Sequence, residues 1–272
     1  MRCGELLLRQ GDTLRPGLMA LLAFVGRCEL SVYRRPNVSI LCTGSELVDI
    51  KERPACGQIR NSNAHALTAL LSECNAEVRY CGSVTDNSGE LRSALEAARD
   101  GADILITTGG ASVGERDLVK AVLEDLGVKF EFRQVAIKPG KPFAFGWWGG
   151  LPVCVLPGNP AAAFVCFQEF VRPTVLRMAG RDKVELPTVL ATLRGRAKSK
   201  PGFCSVLFGN IRITRSGFLV EPLKNQCSGL VRNPAMASGL IVLPESSAIN
   251  GSGSQVTVQV VNWDSILHEN FS

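Results

Sequence analysis

Only two histidines, His65 and His268, occur among 272 residues, and no two of the ten cysteines form a Cys-x-x-Cys pair. That excludes a structural zinc site built on clustered Cys and His. Cys42, Cys154 and Cys166 lie inside apolar runs, where a thiol acts as a small hydrophobic group. Scattered cysteines of this kind predict reduced thiols and a cytoplasmic protein. No apolar run is long enough to span a bilayer, and the opening Met-Arg-Cys-Gly-Glu-Leu-Leu-Leu lacks the apolar core of a signal peptide. The net charge of +5 is too small for the dense basic stripe that grips nucleic acid. Nucleic acid and membrane are therefore not expected as partners; an anionic small molecule is. Internal repeats, a Walker A loop and a Gly-x-Gly-x-x-Gly fingerprint are also missing.

What remains is an ordinary globular composition, 46% hydrophobic and 20% charged, long enough for two domains. Residues 1–35 form a segment too short to be a domain, with an apolar stretch at 18–25 that predicts a helix. From 36 to 182 strand and helix patterns alternate. Strands are expected at 38–42, 78–81, 103–106, 130–136, 143–145 and 153–156. Helices are expected at 61–74, 90–99 (with Ser88 as N-cap), 117–126 and 161–178. Such alternation predicts a mainly parallel sheet covered on both faces, a three-layer α/β/α domain. From 183 to 272 the pattern changes to short strands parted by Gly, Ser, Pro and Asn, without a strong helix. That stretch predicts a small all-β domain.

Three stiff loops follow apolar strand-like runs: Thr107-Thr-Gly-Gly-Ala-Ser-Val-Gly114, Lys138-Pro-Gly-Lys-Pro142 and Leu156-Pro-Gly-Asn-Pro160. All three are expected at one edge of the parallel sheet, where open α/β sheets bind ligands. Gly109, Gly110 and Gly114 would let backbone amides approach an anion, and Ser112 adds a hydroxyl donor. The same loop could also be a bare strand-to-helix turn. Asp117 falls in the first turn of the next helix, where a carboxylate complements the helix dipole or binds Mg2+ beside a phosphate. Asp86 and Glu46 follow two other strands and should reach the same edge. Prolines flanking Lys138 and Lys141 fix the backbone that carries them, which solvent-facing lysines do not need. Pro157, Gly158, Asn159 and Pro160 precede a helix, whose first amides at Ala161–Ala163 would face an anion. The basic run Arg194–Lys200 is either a solvated face or the rim of a cleft between domains.

Thr43-Gly-Ser-Glu-Leu47, Gly57-Gln-Ile-Arg-Asn-Ser-Asn63, the 109–117 loop, Lys-Pro-Gly-Lys-Pro and Pro-Gly-Asn-Pro stand here in one order. In that order they resemble the molybdopterin molybdenumtransferases, the family that includes the C-terminal part of gephyrin. The resemblance runs from about Gly4 to Val260. It implies an enzyme of molybdenum cofactor biosynthesis. Such an enzyme inserts molybdate into adenylated molybdopterin and releases AMP, with Mg2+. On the resemblance, Glu46, Asp86 and Asp117 form the acidic cluster, with Asp86 and Asp117 on the metal. Thr43, Gly109, Gly110, Ser112 and Gly114, with Pro157, Gly158 and Asn159, hold the pterin nucleotide. Lys138 and Lys141 hold molybdate. A barrel-like β domain and a homodimer are also implied, with other cofactor-assembly proteins as possible partners. Residues 1–35 match the last strip of a further N-terminal domain.

Departures from the family pattern are specific. Ser45 stands for an Asp, Ala161-Ala162 for Val-Ser, and Pro201-Gly-Phe203 for Pro-Gly-Arg. Arg196, Lys198 and Arg232 are candidates to replace that arginine. An alternative is therefore a non-catalytic pterin-binding paralogue. A nucleotide pyrophosphate hydrolase of the competence-damage type is a second alternative, disfavoured by Ala111-Ser-Val-Gly114 where those proteins carry Gly-Pro-Thr and acidic residues.

Overall fold

Runs rich in Val, Ile and Leu that are buried on both faces form the centre of a parallel sheet. In this computed structural model, which describes residues 2, 4–109, 118–245 and 249–268, they do so. A first helix, α1 (Pro16–Phe24), precedes them; of its side chains only Leu22 is buried. Then follow β1 (Asn37–Thr43), α2 (Ser62–Glu73), β2 (Glu77–Val84), α3 (Ser88–Arg99), β3 (Ile104–Thr108) and α4 (Leu118–Asp125). β4 (Lys129–Phe132), β5 (Ala144–Trp148), β6 (Leu151–Leu156), α5 (Pro160–Cys166) and α6 (Arg172–Met178) complete the domain.

The sheet order is β2-β1-β3-β6-β5-β4. The first four strands are mutually parallel, and β5 runs antiparallel to β6 and to β4. Alternation along each strand divides the core between two faces. Ile40, Cys42, Ile104, Ile106, Cys154 and Leu156 pack under α2, α5 and α6. Leu41, Leu105, Val153 and Val155 pack under α3 and α4. This is the expected three-layer α/β/α domain. Cys42, Cys154 and Cys166 are core residues as expected, at most 1% exposed.

The second domain comprises β7 (Thr188–Leu193), β8 (Cys204–Thr214), β9 (Gly217–Pro222), α7 (Arg232–Met236), β10 (Gly239–Leu243) and β11 (Gln255–Val260). Its strands run β9-β7-β11-β10-β8, and β8 pairs back with β9, closing a five-stranded barrel around Ile211, Val220, Ile241 and Val258. Closure removes exposed sheet edges. The short helix α7 lies where only strands were expected.

Several boundaries differ from the sequence reading, for identifiable reasons. Ser88 is the first helical residue, not the cap: Asn87 accepts from the N–H groups of Gly89 (2.9 Å) and Glu90 (3.1 Å). Asp103 precedes its strand, accepting from the Asn37 N–H (2.7 Å) and from both terminal nitrogens of Arg34 (2.5 Å each). The Arg34 guanidinium holds its carboxyl below the usual carboxylate range. The long helix expected at 161–178 is interrupted by a π turn at Phe167–Val171. Pro173 lacks the N–H that would bond the Glu169 carbonyl, and its ring crowds that carbonyl, so the helix widens there.

The Lys138–Lys141 loop does not leave the parallel sheet. Ile137–Lys138 instead pairs in parallel with Cys204–Ser205 of β8, so this strand belongs to the barrel. Next to it Ile137, Ala161, Val165, Val206, Phe208, Ala237 and Leu240 form one buried apolar cluster joining the two domains.

Gly109, just after β3, has φ +102°, and a Cβ there would stand 1.9 Å from the Thr43 carbonyl oxygen. Gly109→Ala is expected to destabilise the chain by about 2–3 kcal/mol, measured as a lowered denaturant midpoint. Glu169, in the π turn, is half-buried, and among the described residues its Oε1 has no hydrogen-bond partner. Burial pushes its carboxyl above the ordinary carboxylate range, opposed by contact with Gln259. A raised folded-state pKa means stability is fully present below the unfolded pKa and falls as pH rises through the folded one. Glu169→Gln should therefore raise the thermal midpoint at pH 8 more than at pH 5; an equal change at both would show that Glu169 does not titrate with folding.

Candidate functional site

β1 is followed by β2 on one side of it, and the chain then crosses to β3 on the other. Strand order reverses there, so a crevice opens beyond the carboxyl ends of β1 and β3. Thr43 and Gly44 end β1; Thr108 and Gly109 end β3; Pro157, Gly158 and Asn159 end β6. These residues line a cleft of about 1460 Å3 between the α/β domain and the barrel.

The strand ends are tied to one another. Asn63, in the first turn of α2, donates from Nδ2 to Gly158 O (2.8 Å) and to Thr108 Oγ1 (3.0 Å). Thr108 Oγ1 in turn donates to Pro157 O (3.1 Å). A Cβ on Gly158 would lie 3.3 Å from Gly109 Cα, so the two glycines touch. Thr43 is 2% exposed, and among the described residues its hydroxyl has no partner.

Glu46 and Asp86 both line the cleft, as expected. The Glu46 carboxylate folds back over Gly44, within 2.8 Å of where a Cβ would sit. Asp86 Oδ2 accepts from the Ser45 N–H (3.2 Å) and Oγ (3.4 Å), and the Asp86 N–H donates to Ser45 Oγ (3.1 Å). Ser45 thus joins the loops after β1 and β2. Carboxylate oxygens are the donors Mg2+ takes, and beside phosphates it needs only one or two. Among the described residues, no three acidic, His or Cys side chains converge on one point. Gly110, Ser112, Gly114 and Asp117 lie outside the described residues.

Lys138 and Lys141 are exposed and line the cleft. Their loop is braced from behind. Gly140 is buried at φ +126°, where a Cβ would press Cys166 Sγ at 2.7 Å. The Lys141 carbonyl accepts from the Val135 N–H (3.0 Å). Across the cleft the barrel presents Arg196, Lys198, Lys200 and Lys224, and Arg60 adds one more cation from beside α2. Among the described residues, seven cationic side chains therefore face two carboxylates in the lining. Among the described residues, neither Lys138 nor Lys141 has an ion-pair partner. Cys42 also borders the cleft, but burial pushes its thiol up to about 12, so it is no nucleophile at neutral pH.

One expectation fails for two of its three amides. The Ala161 N–H donates to Ser228 O (3.0 Å) and the Ala163 N–H to Asn159 O (2.9 Å), so neither faces an anion, whereas Ala162 lines the cleft. A barrel-domain loop occupies that helix end, and Asn159 Nδ2 donates to Ser228 Oγ (3.3 Å). Of the cations considered as replacements for the missing arginine, Arg196 and Lys198 line the cleft and Arg232 does not. Phe203 lies in the lining with Lys200 Nζ 4.8 Å above its ring. Sequence reasoning passed over Lys224, an isolated lysine with no local signal. It also passed over Arg60 and Asn63 as individual site residues, although both lie in the Gly57–Asn63 motif.

Residues 39–177 match the family described as the probable molybdopterin binding domain, and residues 191–261 match the MoeA C-terminal region, domain IV. The molybdopterin molybdenumtransferase of Haemophilus influenzae is 36% identical over 95% of this chain. This chain spans 64% of that relative's length. A molybdopterin biosynthesis MoeA protein from Pyrococcus horikoshii superposes with a TM-score of 0.82 at 30% identity, covering 94% of this chain and 62% of that one. A molybdenum cofactor biosynthesis protein from Pyrococcus furiosus superposes with a TM-score of 0.74 at 26% identity, covering 94% and 80%. With a molybdopterin-binding domain over half its length and a MoeA-type barrel behind it, the chain belongs to the MoeA family of molybdopterin-binding proteins.

Proposed function

We propose that the chain is a molybdopterin molybdenumtransferase acting in molybdenum cofactor biosynthesis: it inserts molybdate into adenylated molybdopterin and releases AMP. The observation that carries this reading is the cationic cleft between a molybdopterin-binding domain and a MoeA-type barrel. Its substrates are a pyrophosphate and an oxyanion, both of which need fixed cations and oriented donors. Thr43, Gly109, Gly158 and Asn159 stand where the nucleotide phosphates would lie, with Gly110, Ser112 and Gly114 completing that loop. Lys138 and Lys141 face the oxyanion, with Lys198 and Lys200 on the opposite wall in place of the missing arginine. Asp86 and Asp117, with Glu46 beside them in the acidic cluster, would hold Mg2+, which supplies charge neutralisation at the phosphates. The same reading makes the protein a cytoplasmic homodimer. Exposed apolar side chains at Met19 (52%), Phe24 (78%) and Val32 (65%) suit contact with a second copy.

A second reading is an impaired pterin-binding paralogue. It is favoured by Phe203 in the cleft wall and by the alanines opening α5, which supply neither charge nor hydroxyl.

Single-turnover AMP release from adenylated molybdopterin separates the two. Release that needs both molybdate and Mg2+, and is lost in Asp117→Ala, is the expected result. Tight binding without release would favour the paralogue. Lys141→Ala is expected to weaken the molybdate dependence roughly 10–100-fold, since a charge-assisted bond contributes about 1.5–3 kcal/mol. Unchanged molybdate dependence in that variant would remove the lysine loop from the oxyanion site.

A further inference from the structure

We infer that Asn63 is a positioning residue whose carboxamide fixes the spacing of the two loops, after β3 and β6, between which an anionic ligand binds. The inference takes from the proposed function only the nature of that ligand. Its basis is the pattern of donors. Asn61 Oδ1 accepts from the Ala64 N–H (3.1 Å) and so fixes where α2 begins. That places Asn63 in the first turn, at the cleft wall. Its single amide nitrogen has two hydrogens, and each has its own acceptor on a different strand end: Gly158 O directly, and Thr108 Oγ1. Thr108 is 1% exposed, and its hydroxyl passes the link on to Pro157 O. Two consecutive carbonyls of the β6 loop are thus held from one side chain.

Two acceptors also decide the orientation of the amide, because only the nitrogen can donate to both. No other small side chain serves. A hydroxyl has one hydrogen, and an ionised carboxylate has none. An aspartate at position 63 would oppose its oxygens to the Gly158 carbonyl and set a negative charge beside the anion site. Gly109 and Gly158 are in contact, so a shift of the β6 loop would be felt directly at the β3 loop. Asn63 therefore acts on ligand affinity through the loops.

The test compares Asn63→Ala, Asn63→Asp and the wild type. Two measurements are made across pH 4–8: amide exchange over 105–109 and 156–159, and AMP affinity with Mg2+ by calorimetry. Asn63→Ala should speed exchange in both segments and weaken AMP at least tenfold, with no dependence on pH relative to the wild type. Asn63→Asp should be weaker still at pH 8, and should recover part of the loss as its carboxyl is protonated and regains one donated hydrogen. Wild-type exchange in Asn63→Ala would overturn the inference, whatever happens to AMP. So would a loss of affinity identical in Ala and Asp at every pH. If the wild type binds no AMP but Asn63→Ala loosens both segments, the positioning role stands and the transferase reading fails.

Discussion

Gly109 has no side chain, and the Thr43 carbonyl oxygen occupies the space where one would begin. This contact exists because β1 and β3 are neighbours in register, Cys42 beside Thr108. Their connections leave on opposite sides of the sheet, so the two loops must part at the point where the strands still touch. A left-handed residue without a Cβ allows the chain to turn away within one position. The same compactness brings the loops after β1, β3 and β6 close enough for one ligand to meet all three. Core burial on both faces of β1 and β3 holds these strands in place and supports the unusual conformation at their ends.

Gathering seven cationic side chains around one cleft is tolerable only because they are wet. In water, two unit charges 4 Å apart repel by about 1 kcal/mol, whereas with an effective dielectric near 20 the figure is about 4. The described cations that line the cleft are all exposed, so their mutual repulsion is screened by water. Attachment of the barrel therefore has to come from elsewhere. It comes from the apolar cluster of Ile137, Val165, Val206, Phe208 and Leu240 and from the strand pairing of Ile137–Lys138 with Cys204–Ser205. Lys138 sits at the junction of these two roles: its backbone joins the barrel ladder while its side chain faces the cleft.

The sheet was legible in the sequence because each central strand is a short apolar run ended by Gly or Pro, and burial of both faces permits nothing else. The charged loop residues at 46 and 86 were legible for the same reason, since they follow from where strands end; those at 138 and 141 were legible from the prolines that flank them. What could not be read depends on partners distant in sequence. Ile137–Lys138 has the composition of any short strand, and only the barrel decides which sheet it joins. The amides of α5 look free from local pattern, yet a loop some 65 residues further on supplies the Ser228 carbonyl. The π turn needed the carbonyl of Glu169 to be matched with Pro173, four residues later, within an apparently continuous helix. Asn63 carries no local signal for its role, because both of its acceptors lie on other strand ends.

Ser45 shows how a single departure can rearrange charge without removing structure. A carboxylate at this position, as the family resemblance leads one to expect, would confront Asp86 across the gap between the β1 and β2 loops. The serine supplies a donor there, from its hydroxyl and from its own N–H, and receives one back from the Asp86 amide. The loops are joined by neutral-to-charged hydrogen bonds in place of a carboxylate pair that would need a cation to hold it together. Asp86 is therefore ordered by the protein itself. With one negative charge fewer at the strand ends than the family resemblance leads one to expect, the like-charge repulsion around Asp86 is lower and no cation is needed to hold the two loops together.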